Sequence, residues 1–419
     1  MADIPTGAPG PRAPGQLPRQ STDSTMAHPL GALERASVVV KPATGRRPSL
    51  WEKRRRRRRD KHHSAKKCAF FRYCYYDPAF KYFIEQVLGA EYVALPASTK
   101  QTTELGAQHS SDYVCTPFKH ILGDYIEALD AGAEVLVQFG GPCRLGYYGE
   151  LQERILRDMG YDFEMLNFSV DIEKGAIGWA KQCMKVVNPN VKVGAGLLKL
   201  ASCANMVVKL DAARDFYLAN AGFERERGSF ARVWESYLEA LRAATADRDV
   251  NSAYREAMDA FRALPVDKPA DPIRIGVVGE MFTAIDERSN LELDAKLLAM
   301  GVEVHRMMNL TNRWIRYNEP NLRVGAKDYV GYDMGPTSTL TIAAAVRYGR
   351  EGLDGLVHAK SADCTPEIDC AAVLQRVAQD FEVPCLYLTF DAQTSDTGLD
   401  TRLEAFYDML AMKKERMRP

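Results

Sequence analysis

The chain has 419 residues, and its 55 Lys and Arg side chains balance 55 Asp and Glu side chains, so the formal net charge is zero. The apolar share of 46% and the charged share of 26% are ordinary for a globular protein. No run of about 18 apolar residues occurs and no apolar segment follows a basic start, so we expect neither a membrane-spanning helix nor Sec secretion. Nine scattered cysteines do not form a disulfide scaffold and indicate a reducing, cytoplasmic location.

The neutral total conceals a basic N-terminal segment joined to an acidic body. Residues 1–67 carry 16 Lys and Arg against 5 Asp and Glu, which leaves a charge of −11 on the rest. Residues 1–66 are rich in proline, with Trp51 as their only aromatic, so we predict a disordered basic tail there. The basic run at 53–59, in which six of the seven residues are arginine, suits nucleic acid or an anionic membrane. A solvated extension is the favoured interpretation, because the acidic body does not support a nucleic-acid partner.

Short apolar strands alternate with helices after the tail. The pattern predicts strands at residues 68–73, 91–95, 134–139 and 165–168 and helices at 78–88, 118–129 and 151–159. Such strands are typical of a parallel sheet that is covered on both faces. We therefore predict a first Rossmann-like α/β domain over residues 67–190.

A helical, largely strand-free stretch follows, and then the alternation returns. Residues 191–270 are predicted as a helical segment that ends in a proline-containing linker. Beyond it we predict strands at residues 273–278, 302–305, 355–358 and 386–389 and helices at 291–300, 341–348, 371–381 and 401–411. The second Rossmann-like domain thus covers residues 271–419. The predicted fold class is α/β, with two Rossmann-like parallel-sheet domains, a helical insertion and a disordered N-terminal tail.

Three cysteines occupy loops where ligands gather in parallel sheets, between a strand and the next helix. They are Cys115, Cys143 and Cys364, each close to proline. The positive end of a helix dipole favours a thiolate at such positions. The remaining cysteines fall on predicted strands and helices or follow the first strand, where packing is the expected role: Cys68, Cys74, Cys183, Cys203, Cys370 and Cys385. Spacing alone leaves a shared metal site and ordinary packing both open, because no CxxC pair is present.

The loops around these three cysteines resemble the cysteine motifs of the 2-hydroxyacyl-CoA dehydratase D-component family, which includes benzoyl-CoA reductase subunits. The similar segments are Val114-Cys115-Thr116-Pro117-Phe118-Lys119 with Gly123, Gly141-Pro142-Cys143-Arg144-Leu145-Gly146-Tyr147-Tyr148, and Asp363-Cys364-Thr365-Pro366-Glu367. Further similarity lies at 276–280 with Asn290 and at 401–406. The resemblance covers roughly residues 67–412 in the same order along the chain. Residues 360–363, which directly precede Cys364, differ from the family pattern, because they lack the aromatic residue and glycine often found there.

The resemblance implies a [4Fe–4S] cluster held between the two domains by Cys115, Cys143 and Cys364. The implied activity is that of a hydro-lyase of anaerobic metabolism, in which one low-potential electron converts a 2-hydroxyacyl thioester into a ketyl radical that loses water. The implied partners are a separate ATP-dependent activase that supplies the electron, a second dehydratase-like subunit and the acyl-CoA thioester. Lys119, Arg144 and Glu367 lie in or next to the motifs and are the candidates to contact substrate or cluster.

Two alternatives stay open on the sequence alone. The first is a related iron–sulfur reductase that acts on a small substrate without CoA. The second is a non-enzymatic binding protein that uses the basic tail, with cysteines that are merely buried. Lys119 is equally well explained as a surface charge. The substrate cannot be read from the sequence, because acyl-chain specificity depends on the shape of a pocket.

Overall fold

A computed structural model describes residues 65–138, 148–167, 184, 186–188, 190–316, 319–332, 334–391 and 394–417. All of these belong to the same structural unit. The predicted tail lies outside the described residues, apart from residues 65 and 66. The predicted domain limits at 190 and 270 stay predictions. The α/β fold class is confirmed, because helices alternate with the strands of two four-stranded parallel sheets.

The first sheet has four parallel strands. They are β1 (Lys67–Phe70), β2 (Glu91–Tyr92), β3 (Val135–Gln138) and β4 (Glu164–Asn167), and they lie in the order β2-β1-β3-β4. β3 is buried along its whole length and pairs in parallel register with β1 on one side and β4 on the other. The carboxyl ends of β1 and β3, where the strand order reverses, therefore form the expected ligand-binding edge of this sheet.

The second sheet repeats this topology with four more parallel strands. They are β5 (Ile273–Gly279), β6 (Val302–Arg306), β7 (Gly355–Ser361) and β8 (Cys385–Phe390), and they lie in the order β6-β5-β7-β8. β5 and β7 are mostly buried, and their carboxyl ends form the corresponding edge. Along the sequence, Cys364 comes after β7 and Cys143 comes after β3, so the two cysteines follow equivalent strands.

Helices cover both sheets and fill the segment between them. They are α1 (Asp77–Tyr82), α2 (Lys100–Gln108), α3 (Thr116–Asp130), α4 (Tyr148–Asp158), α5 (Val193–Asn220), α6 (Ser229–Ala243), α7 (Asp247–Ala263), α8 (Met281–Ile285), α9 (Leu293–Ala299), α10 (Pro320–Arg323), α11 (Pro336–Arg350), α12 (Thr365–Asp380) and α13 (Asp396–Met417). Single helical turns lie at Cys74–Tyr76, Phe83–Val87, Ala221–Phe223, Thr311–Ile315 and Val324–Asp328. The predicted helical insertion corresponds to α5, α6 and α7.

Helix α2 was not predicted from the sequence, because it is mostly polar and has no clear apolar stripe. A capping box between Thr99 and Thr102 starts it. Two glycines then let it approach α3 closely. A Cβ atom at Gly106 would lie 1.8 Å from the Lys119 carbonyl oxygen, and one at Gly123 would lie 1.9 Å from the Thr102 carbonyl oxygen. Backbone contact between the two helices, and not an apolar stripe, holds α2 in place.

Strand β1 is shorter than predicted, since it ends at Phe70 and not at residue 73. The backbone N–H of Arg72 donates to the Asp124 carboxylate at 2.8 Å, which takes the chain away from the sheet. Cys74 then adopts a left-handed conformation, with φ of 47°, at the start of a helical turn. A buried carboxylate on α3 therefore ends a strand whose apolar pattern continues.

Among the described residues, the helical stretch Val193–Phe223 is long and apolar enough to cross a membrane by length and composition. Core helices of soluble proteins meet the same criteria. Its second half carries two buried charged side chains, Asp211 and Arg214. Asp211 accepts hydrogen bonds from Tyr76 and from the backbone N–H of Thr311, and Arg214 pairs with Asp294 at 3.1 Å. These contacts pack the helix against other parts of this chain, and the cytoplasmic location stays a prediction.

The buried carboxyl group of Asp124 should make stability depend on pH. Burial raises its pKa to about 7, although Ser98 and the Arg72 backbone donate hydrogen bonds to it. The unfolded chain loses this proton near pH 4, whereas the folded chain keeps it up to about pH 7, so the contribution to stability falls as pH rises across that interval. We expect the free energy of unfolding to fall by up to about 1.4 kcal/mol per pH unit relative to Asp124→Asn.

Urea denaturation at several pH values between about 4 and 8 measures this difference. Asp130→Asn, an exposed substitution on the same helix, is the matched control. Its free energy of unfolding should change with pH in the same way as that of the unmodified chain. A difference between the protein and Asp124→Asn that stays constant with pH would contradict the prediction.

Candidate functional site

Helices α3 and α12 begin in the same way, with Cys-Thr-Pro. Cys115 and Cys364 occupy the N-cap positions, and proline follows in the first turn of each helix. Neither cysteine side chain caps its own helix. The thiols therefore lie at the positive ends of two helix dipoles, which favour the thiolate form that binds metals.

The structure brings these two cysteine-bearing segments together. The backbone N–H of Thr116 donates to Ser361 Oγ at 3.0 Å, and the Ser361 hydroxyl lies 3.3 Å from Thr116 Oγ1. Thr116 directly follows Cys115, and Ser361 ends β7 three residues before Cys364. Cys115 is also close enough to Cys364 to act on its pKa. The predicted convergence of Cys115 and Cys364 at a common site is thus consistent with the fold.

The third predicted ligand, Cys143, lies outside the described residues, as does Arg144. The described chain reaches this segment from both sides, since β3 ends at Gln138 and α4 begins at Tyr148. The Tyr148 hydroxyl forms a hydrogen bond with Cys115 Sγ. The residue that follows the Cys143 segment therefore contacts one of the other two predicted ligands.

The surroundings of Cys364 suit a bound cation. Burial raises the pKa of this thiol, and the carboxylates of Glu280 and Glu367 raise it further. Glu280 follows β5 and caps α8 by accepting from the N–H groups of Phe282 at 2.8 Å and Thr283 at 2.7 Å. The free Cys364 thiol is therefore protonated at neutral pH, as are buried thiols that serve packing. A metal ion or the metal core of a cluster at this position would offset the charges of Glu280 and Glu367 and favour the thiolate.

The carboxylate of Glu367 lies in a second, fully buried cluster. It contacts His358 Nε2 at 2.8 Å and Cys370 Sγ at 3.4 Å, and the Thr341 hydroxyl donates to it at 3.2 Å. The ligand atoms of His358, Glu367 and Cys370 lie within 4.8 Å of one another, which is close enough for a metal ion. However, His358 Nδ1 has no hydrogen-bond partner among the described residues. Metal-bound histidines normally donate from the second nitrogen, so a carboxylate held by three donors explains this cluster better.

Lys119 is not brought to either cluster by any contact that the described residues show. Its side chain is part-exposed, and its Nζ donates to the carbonyl oxygen of Asp112 at 3.3 Å. Glu367, in contrast, is completely buried and points to His358. The two predicted substrate contacts that the structure describes therefore occupy different environments.

The cysteines predicted to serve packing are mostly enclosed. Burial raises the pKa of Cys68 and of Cys203 to about 12, so these thiols are protonated at neutral pH. Cys74 donates to the carbonyl oxygen of Ile285 at 3.1 Å, and Cys385 lies in β8. Cys370 belongs to the Glu367 cluster, and Cys183 lies outside the described residues.

Sequence reasoning did not select Ser361, Tyr148, His358 or Glu280 as site residues. Tyr148 and Glu280 lie in segments that resemble the dehydratase family, so this resemblance could have identified them as site residues. Ser361 lies in the lead-in that departs from the family pattern, and His358 has the pattern of an ordinary residue in an apolar strand. No protein-family model matches the chain, and no curated protein matches it.

Proposed function

We propose that this chain is the iron–sulfur subunit of a 2-hydroxyacyl-CoA dehydratase-like enzyme, with a [4Fe–4S] cluster bound by Cys115, Cys143 and Cys364. The single observation that carries the proposal is the hydrogen-bonded contact between Thr116 and Ser361, because it joins the two helix starts that bear Cys115 and Cys364. Two sheets of the same topology, each with a predicted ligand cysteine after its third strand, further support it.

The residues of the chain contribute binding and electrostatics to this site. Two helix N-termini stabilise thiolate charge at Cys115 and Cys364, and Tyr148 offers a hydrogen bond to Cys115 Sγ. Hydrogen bonds to ligand sulfurs tune the reduction potential of such groups. When bound, the cluster would supply one-electron transfer, and three protein ligands would leave one iron with an open coordination position.

The reaction and the partners are inferred from the sequence resemblance. The proposed substrate is a 2-hydroxyacyl-CoA thioester that loses water, and the electron comes from a separate ATP-dependent activase. A second dehydratase-like subunit completes the enzyme. Lys119 and Arg144 remain candidates to contact the thioester. The burial of Glu367 favours a role in positioning α12, whose first residues follow Cys364.

Iron and sulfide analysis of the full chain, purified and reconstituted without oxygen, tests the proposal. We expect iron and sulfide in the ratio of a [4Fe–4S] cluster. Cys115→Ala, Cys143→Ala and Cys364→Ala should each lose most of this iron. Cys203→Ala is the matched control, since Cys203 is a buried thiol on α5 that donates to the Ala79 carbonyl oxygen, and it should keep the iron. A reconstituted chain that contains no iron would contradict the proposal.

A further inference from the structure

Helix α3 begins at a position where the side chain of its own N-cap residue accepts no hydrogen bond from the first backbone donors. The first N–H groups of a helix have no partner inside it, and Ser, Thr, Asp or Asn usually supply one from the N-cap. Cysteine occupies this position here and makes no capping hydrogen bond. The side-chain cap of this helix therefore has to come from another residue.

Ser361 supplies this missing cap from the other sheet. Its Oγ accepts from the Thr116 N–H at 3.0 Å and lies 3.3 Å from the Thr116 hydroxyl, although 245 residues separate the two. Both side chains are buried, with Ser361 completely enclosed. The contact therefore joins the residue after Cys115 to the strand that leads into Cys364.

The position of Ser361 is itself well determined by its strand. Ser361 is the last residue of β7 and pairs in register with Phe390 of β8. Its carbonyl oxygen accepts from the Cys364 N–H at 3.2 Å, and the next N–H, from Ala362, donates to the Phe390 carbonyl oxygen at 2.9 Å. The same residue thus starts the turn that places Cys364 and holds the first turn of α3.

We propose that Ser361 is a positioning residue, whose hydroxyl caps α3 across the two sheets and so sets the relative placement of Cys115 and Cys364. The role of these cysteines as ligands rests on the proposed function, but their placement by Ser361 does not. Removal of the hydroxyl leaves the Thr116 N–H without its cap. The start of α3, and Cys115 with it, then moves more freely relative to Cys364.

Thiol cross-linking of the full chain tests the placement without any iron. The apo protein is treated with dibromobimane, and the Cys115–Cys364 cross-link is quantified by peptide mass spectrometry. We expect Ser361→Ala to lower the yield of this cross-link about fivefold. The matched control is Ser229→Ala, a buried serine at the start of α6 that bonds to Glu224 and touches neither cysteine segment, and it should leave the yield unchanged.

A second readout uses the reconstituted protein. Ser361→Ala should lose iron to a chelator several times faster than the unmodified chain and Ser229→Ala, with circular dichroism showing that all three are folded. If Ser361→Ala does not fold, Thr116→Pro is measured in its place. Proline is tolerated at the first helical position and removes the backbone N–H from which Ser361 Oγ accepts, so we expect about a fivefold lower cross-link yield from it.

The outcomes separate the two proposals. A folded Ser361→Ala with an unchanged cross-link yield overturns the positioning role, whatever the iron content. An unchanged yield in Thr116→Pro does the same where Ser361→Ala cannot be obtained folded. A chain that binds no iron overturns the proposed function, and the cross-link comparison still decides the role of Ser361.

Discussion

Asp294→Asn should destabilise the protein by about 3–5 kcal/mol, because it leaves a buried arginine without its counter-charge. Asp294 lies in the first turn of α9 and is almost completely buried. Its two carboxylate oxygens bind the guanidinium groups of Arg214 and Arg306, which are buried as well. Arg214 keeps a second partner in Glu287. For Arg306, Nε and Nη1 have no hydrogen-bond partner among the described residues, and Asp294 is the carboxylate that Nη2 contacts.

Chemical denaturation of the variant and the unmodified chain measures this effect. Asp259→Asn is the matched control, because Asp259 forms an exposed pair with Arg262 on α7 and should change stability by less than about 1 kcal/mol. If Asp294→Asn lowered the free energy of unfolding no more than the control does, Arg306 would have to find another partner or be reached by water. The three buried charges link different elements, since Arg214 lies on α5, Asp294 on α9 and Arg306 on β6. The same result would therefore also count against the view that they anchor α5 to the second sheet.

Glu367→Ala should destabilise the protein by about 2–5 kcal/mol, because it opens a cavity and leaves the buried His358 Nε2 without its acceptor. The Thr341 hydroxyl and the Cys370 thiol also lose the carboxylate, but they keep the carbonyl oxygens of Gly279 and of residue 367 as acceptors. Glu367→Gln should cost less, since its amide oxygen still accepts one of these hydrogen bonds. In Glu367→Ala, the loss of stability should be accompanied by faster hydrogen exchange in the first turns of α12.

Asp369→Asn provides the control for this prediction, since Asp369 is an exposed acid on the same helix. Its stability should stay within about 0.5 kcal/mol of the unmodified chain. If Glu367→Ala were equally stable, the carboxylate would have no structural role, and a role in direct contact with substrate would gain weight.

Local patterns were sufficient for most of the secondary structure and for the class of fold. Both sheets consist of short strands that alternate with helices, with the central strands largely buried, and this alternation depends on side chains that are neighbours in sequence. Two of the differences between the predicted and observed elements have specific causes. Helix α2 is held by the close approach of Gly106 and Gly123, and β1 is cut short by the Asp124 carboxylate. Both causes lie in contacts with another helix, beyond the range of a local pattern.

The sequence by itself determined the α/β architecture with two parallel sheets, and it placed Cys115 and Cys364 between a strand and the next helix, since these properties depend on residues close along the chain. Only the tertiary structure decided which loops meet. The contact between Thr116 and Ser361 joins residues 245 positions apart, and no periodicity carries that information. The buried direction of the Glu367 carboxylate was likewise decided by His358 and Thr341, because a charged residue in the first turn of a helix is equally compatible with solvent and with a buried acceptor site.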